Sequence, residues 1–478
     1  MYEMFAKLTG FLWGTPLLLA ILVTGIFFTI RTKGFQFVHF GHIVTNMFKK
    51  DSRLGAGDDK NKLTPFQAIS IAVGGSVGVS NMSGVATAIS TGGPGALFWL
   101  WIAALFGMII KMAEVTLAVY YRETNEDGSY RGGPTYYMQN GLGKEKGFKG
   151  WKLFSVIFGG GIFMTWFITI QNYTISEAVG GTFNIPYIWV SLAICVCVYV
   201  IIIGGIKKIG QITQYLVPIM CCFYIICALI IIFVNIEKLP TTISMIFKGA
   251  FTTQAASGGF LGATVAQVIR LGLARSVYSN EAGWGTSPMV HATANTDHPI
   301  KQGLMGAFEV FADTIVVCSM TGFVIIITGY WNSGLSGATL TAFESVIGSA
   351  ARIAIAISIF LFGLTTSTGW FTYYRVILDH ALKEKDKLKK ALVNILILGT
   401  PLWGLLVVVL TVYGNGTPAQ VWTFADFSSV IPTFVNVITL FLLGEKFIEL
   451  LKDYKARYLG IGKVDPNFKL FYEEKLKK

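Results

Sequence analysis

Between positions 74 and 84 the chain reads Gly74-Gly75-Ser76-Val77-Gly78-Val79-Ser80-Asn81-Met82-Ser83-Gly84. Four glycines and three serines in eleven residues hold a continuous helix poorly, because each Gly costs about 1 kcal/mol against Ala. Small residues that serve tight helix packing recur four apart on one face, whereas Gly74, Gly75 and Ser76 are consecutive and cover several faces. The expectation is an unwound stretch. Its free N–H groups can hold a carboxylate and its free carbonyls a cation. A second run of this kind is Ala255-Ala256-Ser257-Gly258-Gly259-Phe260-Leu261-Gly262.

Other groups are nearly all uncharged. The run Gly363-Leu364-Thr365-Thr366-Ser367-Thr368-Gly369-Trp370 gathers hydroxyls. These either bond back to carbonyls of their own helix or bind Na⁺, a hard cation that wants oxygen. In the second case Thr366, Ser367 and the carbonyls of Gly363, Gly74 and Val77 would supply five oxygens. Gln171, near Phe167, either bonds two helices together or hydrogen-bonds a substrate. Lys111 and Glu114 are three apart and can pair on one helix face. Asp313 lies deep in an apolar run, where a carboxylate marks an ion or proton pathway by default or else pairs with a cation. Asp426 is a weaker candidate of the same kind. The chain has no GxxxxGK[ST] loop, no clustered His/Asp/Glu set and no cysteine at metal-ligand spacing, which argues against an enzyme.

These groups need elements to hold them, and the composition says which. The chain has 478 residues, 53% of them hydrophobic and only 13% charged, about half the charge of a soluble domain. That indicates an all-α polytopic membrane protein. A bilayer span takes about 20 apolar residues, and eleven segments qualify: 11–30, 64–91, 95–121, 151–178, 184–205, 209–235, 243–283, 302–330, 344–374, 390–413 and 417–444. The net charge of +12 is an orientation signal. With the N-terminus outside, 31 of the 38 Lys and Arg fall in cytoplasmic connections and the tail, as the positive-inside rule requires. A nucleic-acid partner is not expected; membrane lipid is, and a monomer is expected to be functional.

The glycine-rich breaks fall in the second and seventh segments, five apart and of opposite direction. Corresponding breaks in two inverted halves point to a transporter site. The expected organisation is residues 1–63 as an extra N-terminal helix and loop, 64–235 and 243–444 as two inverted five-helix repeats, and 445–478 as a basic cytoplasmic tail lying on the membrane as a helix. In the seventh segment the break is expected at Gly258–Gly259; a break at Leu271-Gly272-Leu273 would leave Arg270 and Arg275 near the bilayer centre.

The run Gly92-Gly93-Pro94-Gly95-Ala96-Leu97-Phe98-Trp99-Leu100-Trp101 resembles the signature of the alanine/glycine:cation symporter family, with Leu100 where Met is common. Gly132-Gly133-Pro134-Thr135-Tyr136-Tyr137 and Ser279-Asn280-Glu281-Ala282-Gly283-Trp284-Gly285 are similar to further stretches of that family, with Trp284 in place of the usual Leu. The resemblance implies a LeuT-like fold and Na⁺- or H⁺-coupled uptake of alanine or glycine across the plasma membrane. It implies that Gly75, Gly78, Val79, Ser80 and Asn81 form the substrate side of the first break, with the Val79 and Ser80 amides on the carboxylate. It also implies a Na⁺ site shared by Gly74, Val77, Gly363, Thr366 and Ser367. Ser76 and Asn81 resemble ligands of a second sodium site, to which segment 302–330 brings no aligned partner; Asp313 of that segment is a coupling candidate as an intramembrane carboxylate. Gln171, Gly258, Gly259, Trp370 and Phe167 complete the expected substrate site, the two aromatics limiting side-chain volume. Na⁺ is the expected coupling ion, with no organic cofactor. The rivals are a proton-coupled symporter using Asp313 or Glu114, and a gated channel lined by Asp313 and the glycine breaks.

Overall fold

A computed structural model describes residues 2–55, 62–167, 169–252, 264–332, 337–414 and 416–476. The helices that matter for the site are α1 (Tyr2–Leu12), α2 (Thr15–Arg31), α3 (Pro65–Ser76), α4 (Val85–Gly92), α5 (Gly95–Tyr120), α6 (Trp151–Phe167), α7 (Gln171–Phe183), α8 (Tyr187–Ile202), α9 (Gly205–Val234), α10 (Leu239–Phe251), α11 (Val265–Asn280), α12 (Pro299–Ile327), α13 (Ser349–Ala381), α14 (Asp386–Val412) and α15 (Pro418–Leu459). Among the described residues eight helical stretches are long and apolar enough to cross a bilayer, and the bent pair α3/α4 makes a ninth. The α8 helix is apolar but has 16 residues, so it rises about 24 Å. Among the described residues one short sheet pairs Glu123–Thr124 with Tyr130–Arg131.

The first expected break is present. Thr64 starts α3 with a reciprocal capping box to Gln67, with Pro65 in the first turn. The helix stops at Ser76, and the chain resumes at Ser80 as a five-residue π turn that runs into α4, bent by 49°. Gly258 and Gly259 lie outside the described residues. The rival break at Leu271–Gly272–Leu273 is not used, since α11 runs unbroken from Val265 to Asn280. The chain is instead interrupted just after it. From Glu281 to Ser287 it is non-helical, with Glu281 at φ +54°, Gly283 at φ +87° and Gly285 at φ +83°. Side chains rarely adopt positive φ, so the two glycines permit this path.

Packing sorts the helices. The central helix α5 is buried from Met108 to Tyr120, whereas α8, α9 and α14 expose Trp189, Val196, Ile219, Leu398 and Leu402. Such a sheath of large apolar side chains suits lipid rather than water. Contacts join the basic connections at one end of the bundle: Arg31 with Glu445, Arg131 with Asp379, Lys383 with Glu123 and Lys301 with Asp51. The tail differs from the expected surface helix. Residues up to Leu459 continue α15, and Tyr472–Leu476 folds back against the C-terminal end of α5, where Tyr472 packs on Tyr121 and Lys475 meets Glu145.

Candidate functional site

The α3 break is joined to α13 by a close backbone crossing. A Cβ on Gly369 would sit 3.0 Å from Gly75 Cα, and one on Gly75 would sit 2.5 Å from Tyr373 Oη. Without Cβ atoms the two helices approach closely enough for Thr366 Oγ1 to lie 3.1 Å from the Gly74 carbonyl oxygen. The same hydroxyl lies 3.0 Å from the Phe362 carbonyl of its own helix. A hydroxyl has one proton, so it satisfies one of these carbonyls at a time. Of the two expected uses of the hydroxyl run, back-bonding is seen at Thr365 and Thr368, which bond within α13, while Thr366 also reaches across to α3. A Cβ on Gly78 would lie 2.5 Å from Thr366 Oγ1, and one on Gly363 would crowd Ile175 of α7 and lie 3.5 Å from Val79.

A cavity of about 60 Å³ opens beside this crossing. At roughly 10–15 Å³ of such volume per water it is a small-ligand space. Gln171 of α7, Thr366, Ser367 and Trp370 of α13, and Tyr278 and Trp284 around the second interruption line it. Gln171 Oε1, Ser367 Oγ and Trp284 Nε1 are buried without a hydrogen-bond partner. Unpartnered buried polar atoms around one cavity are what a polar ligand would satisfy. Trp370 packs on Trp284 with ring centres 5.2 Å apart, and Tyr374 bonds to Thr165 at 3.0 Å.

The other expected site residues fall in different places. Phe167 is half exposed and meets Trp403 edge to face at 5.0 Å, outside the cavity lining. Residues 74–81 do not line this cavity either; Thr366 is the link between it and the break. Val77 is buried, and Ser76 Oγ bonds back weakly to the Val73 carbonyl at 3.4 Å. Val79 borders a second cavity with Ser83, Glu177 and Arg352, while Ser80 is half-buried. Asn81 turns to the opposite side, where its Oδ1 accepts from the Gly78 amide at 2.8 Å and its Nδ2 donates to Asp313 Oδ1 at 2.7 Å. Asp313 Oδ2 accepts from Ser279 at 2.8 Å and Thr314 at 2.7 Å. The carboxylate is thus held by an amide and two hydroxyls. It sits on a π stretch, Phe311–Cys318, within α12; π turns inside helices recur at functional sites.

Sequence reasoning missed the second interruption and the charges around it. Lys111 and Glu114 are 4.0 Å apart as expected, but Lys111 is also 3.8 Å from Glu309, and Glu309 pairs with His291 at 2.9 Å. All four side chains are fully buried. The available signal was the density of polar residues in Asn280-Glu281-Ala282-Gly283-Trp284-Gly285-Thr286-Ser287, in which the glycines are two apart rather than adjacent.

The sequence profile of the Sodium:alanine symporter family matches residues 1–469. The chain is 34% identical to the "Sodium/alanine symporter AgcS" of Methanococcus maripaludis, over 91% of this chain and 93% of that one. It is 36% identical to the "Probable sodium/glutamine symporter GlnT" of Bacillus subtilis, over 98% of this chain and 92% of that one. Among solved structures, that of MhsT in complex with L-phenylalanine matches with a TM-score of 0.59 at 14% identity, covering 80% of this chain and 90% of that one. The last likeness shows a shared fold.

Proposed function

We propose that this chain, which belongs to the sodium:alanine symporter family, imports a small neutral amino acid such as alanine or glycine together with Na⁺ by alternating access. The carrying observation is the 3.1 Å approach of Thr366 to the Gly74 carbonyl, because it ties the broken helix to a cavity that the next residue, Ser367, also lines. A cation held by the Gly74 carbonyl and the Thr366 hydroxyl, with Val77 and Gly363 contributing carbonyls, would bind α3 to α13 and fix one arrangement of the bundle. The amino acid would then enter the cavity against Gln171 and Ser367, with Trp370 and Trp284 limiting its side chain. The amides of Val79 and Ser80 and the segment at Gly258–Gly259 complete the proposed path. Inward movement of each Na⁺ releases about 2.3 kcal/mol per 100 mV of membrane potential.

The architecture that goes with this reading is eleven spans. An extra N-terminal helix precedes two inverted five-helix repeats, 64–235 and 243–444, and a basic tail follows. The chain acts as a monomer in the plasma membrane, with the N-terminus outside and the C-terminus in the cytoplasm. The joining of the basic connections at one end of the bundle supports that orientation.

A second reading changes only the ion. Asp313 touches the broken helix through Asn81, and a relative 35% identical over 96% of this chain is named "Putative sodium/proton-dependent alanine carrier protein YrbD". Proteoliposomes with imposed gradients separate the two. Alanine uptake driven by a Na⁺ gradient at fixed pH is expected; uptake that ignores Na⁺ and follows a pH gradient would replace the first reading by the second.

A further inference from the structure

The interruption at Glu281–Ser287 already has a cation. Lys111 of α5 is fully buried, and its Nζ donates to the Glu281 carbonyl at 2.9 Å and to Ser287 Oγ at 3.0 Å. These two acceptors stand at the two ends of the interruption. The carboxylates are farther away: Glu309 Oε1 at 3.8 Å and Glu114 Oε2 at 4.0 Å. Both of those oxygens are buried and have no hydrogen-bond partner. The ammonium is therefore bonded to the unwound segment and only flanked by its counter-charges. A plain buried ion pair would show the reverse order of distances.

The rest of the interruption is held from the other side. Asn436 of α15 donates to the Gly283 carbonyl at 2.9 Å and also to Glu114. Ser287 Oγ donates a hydrogen bond to Glu309 Oε2 at 3.1 Å, the oxygen that also meets His291. Backbone carbonyls freed inside a membrane need internal partners, and here those of Glu281 and Gly283 receive an ammonium and an amide. Directly after these fixed carbonyls comes Trp284, flanked by the positive-φ glycines 283 and 285, with its ring against Trp370 and Tyr278 at the cavity.

We propose that the Lys111 ammonium is a tethered cation that holds the 281–287 interruption in the shape that sets Trp284 against the substrate cavity, which makes Lys111 a positioning residue for transport. The proposal rests on the symporter reading above. It also means that the carbonyl of Glu281 is not a ligand for the travelling ion.

The test pairs K111M/E309Q with S287A, each reconstituted beside the unsubstituted protein. The double variant removes one cation and one anion together, so charge balance is kept while the bonds to Glu281 and Ser287 are lost. It is expected to purify as a monodisperse protein with a nearly unchanged melting temperature, yet to take up alanine at least tenfold more slowly. S287A is expected to raise the alanine KM severalfold. Amide hydrogen exchange at 281–287 is expected to quicken in the double variant more than exchange elsewhere in the bundle. Alanine uptake within twofold of the unsubstituted protein in K111M/E309Q overturns the proposal. If that variant does not fold, an unchanged KM in S287A overturns it. If the unsubstituted protein itself takes up no alanine, the symporter reading fails, and unchanged exchange at 281–287 then decides against the positioning role by itself.

Discussion

Thr366 and Ser367 are neighbours in sequence but stand in different surroundings, and one experiment can separate the tasks proposed for them. Thr366 Oγ1 lies 3.1 Å from the Gly74 carbonyl, whereas Ser367 Oγ is buried, unpartnered and on the cavity wall. Replacing Thr366 by Ala removes a neutral hydrogen bond, about 1 kcal/mol of stability, and one oxygen of the proposed Na⁺ site. A bond from a neutral group to an ion is worth about 1.5–3 kcal/mol, so the Na⁺ concentration for half-maximal uptake should rise roughly 10- to 150-fold. Thr366→Ser keeps the oxygen and should stay near the unsubstituted value. Ser367→Ala removes a neutral contact to the substrate, about 0.5–1.5 kcal/mol, which is roughly a 2- to 12-fold rise in alanine KM with the Na⁺ curve unchanged. The assay is labelled-alanine uptake into proteoliposomes at clamped membrane potential, with Na⁺ and alanine varied independently. If T366A keeps its Na⁺ half-saturation within twofold, or if S367A moves the Na⁺ curve instead, the assignment of the two hydroxyls is wrong.

Asp313→Asn replaces an acceptor-only group that receives Asn81, Ser279 and Thr314; uptake should fall at least tenfold, and under the proton reading any residual uptake should lose its response to an imposed pH gradient. Trp370→Ala or Trp284→Ala should widen the cavity and shift selectivity toward longer side chains, read as competition of alanine uptake by leucine against competition by glycine. Gly75→Ala puts a Cβ 2.5 Å from Tyr373 Oη, and overpacking of this kind costs about 1–3 kcal/mol, so a lower melting temperature and a weaker Na⁺ response are expected together. His298, at the start of α12, lies 3.2 Å from Asp453, and burial nonetheless pushes its imidazole down to about 4. Its ordinary value is about 6.5, so the unfolded chain takes up the proton first. The stability from a neutral His298, at most about 3 kcal/mol, is present above pH 6.5 and is lost as pH falls toward 4. Melting curves of H298Q should accordingly depend less on pH across that window.

The helices and the first break were legible because their signals are local. Gly74, Gly75 and Gly78 sit within five residues. The hydroxyl run was legible as a cation candidate, but not the division of labour between Thr366 and Ser367. That division depends on the rotation of α13 against α3, set by the Gly75–Gly369 crossing between residues 294 positions apart. Asn81 and Asp313 were each singled out, yet their contact joins positions 232 apart and no periodicity announces it. The interruption at 281–287 was read through because α11 carries Arg270 and Arg275, which made its far end look like an exit from the membrane. The stretch is polar because Lys111 and Asn436 meet its unwound backbone and Glu309 meets its Ser287 hydroxyl, from three other helices.

The two interruptions are chemically unlike, and that difference bears on coupling. At the α3 break the group that meets the Gly74 carbonyl is the neutral Thr366 hydroxyl. At 281–287 an ammonium is already in place, with carboxylates beside it. A travelling cation gains most where carbonyl and hydroxyl oxygens lack a resident positive charge and is repelled where one is present. Only a site whose cation can leave can report the ion's presence to the rest of the bundle, since a ligand shifts an equilibrium through the difference between bound and free. The neutral break is therefore suited to sense Na⁺, and the charged one to act as the fixed frame against which α3 and α13 move. Reversing that assignment would require Na⁺ dependence to follow Lys111 substitutions more strongly than Thr366 substitutions.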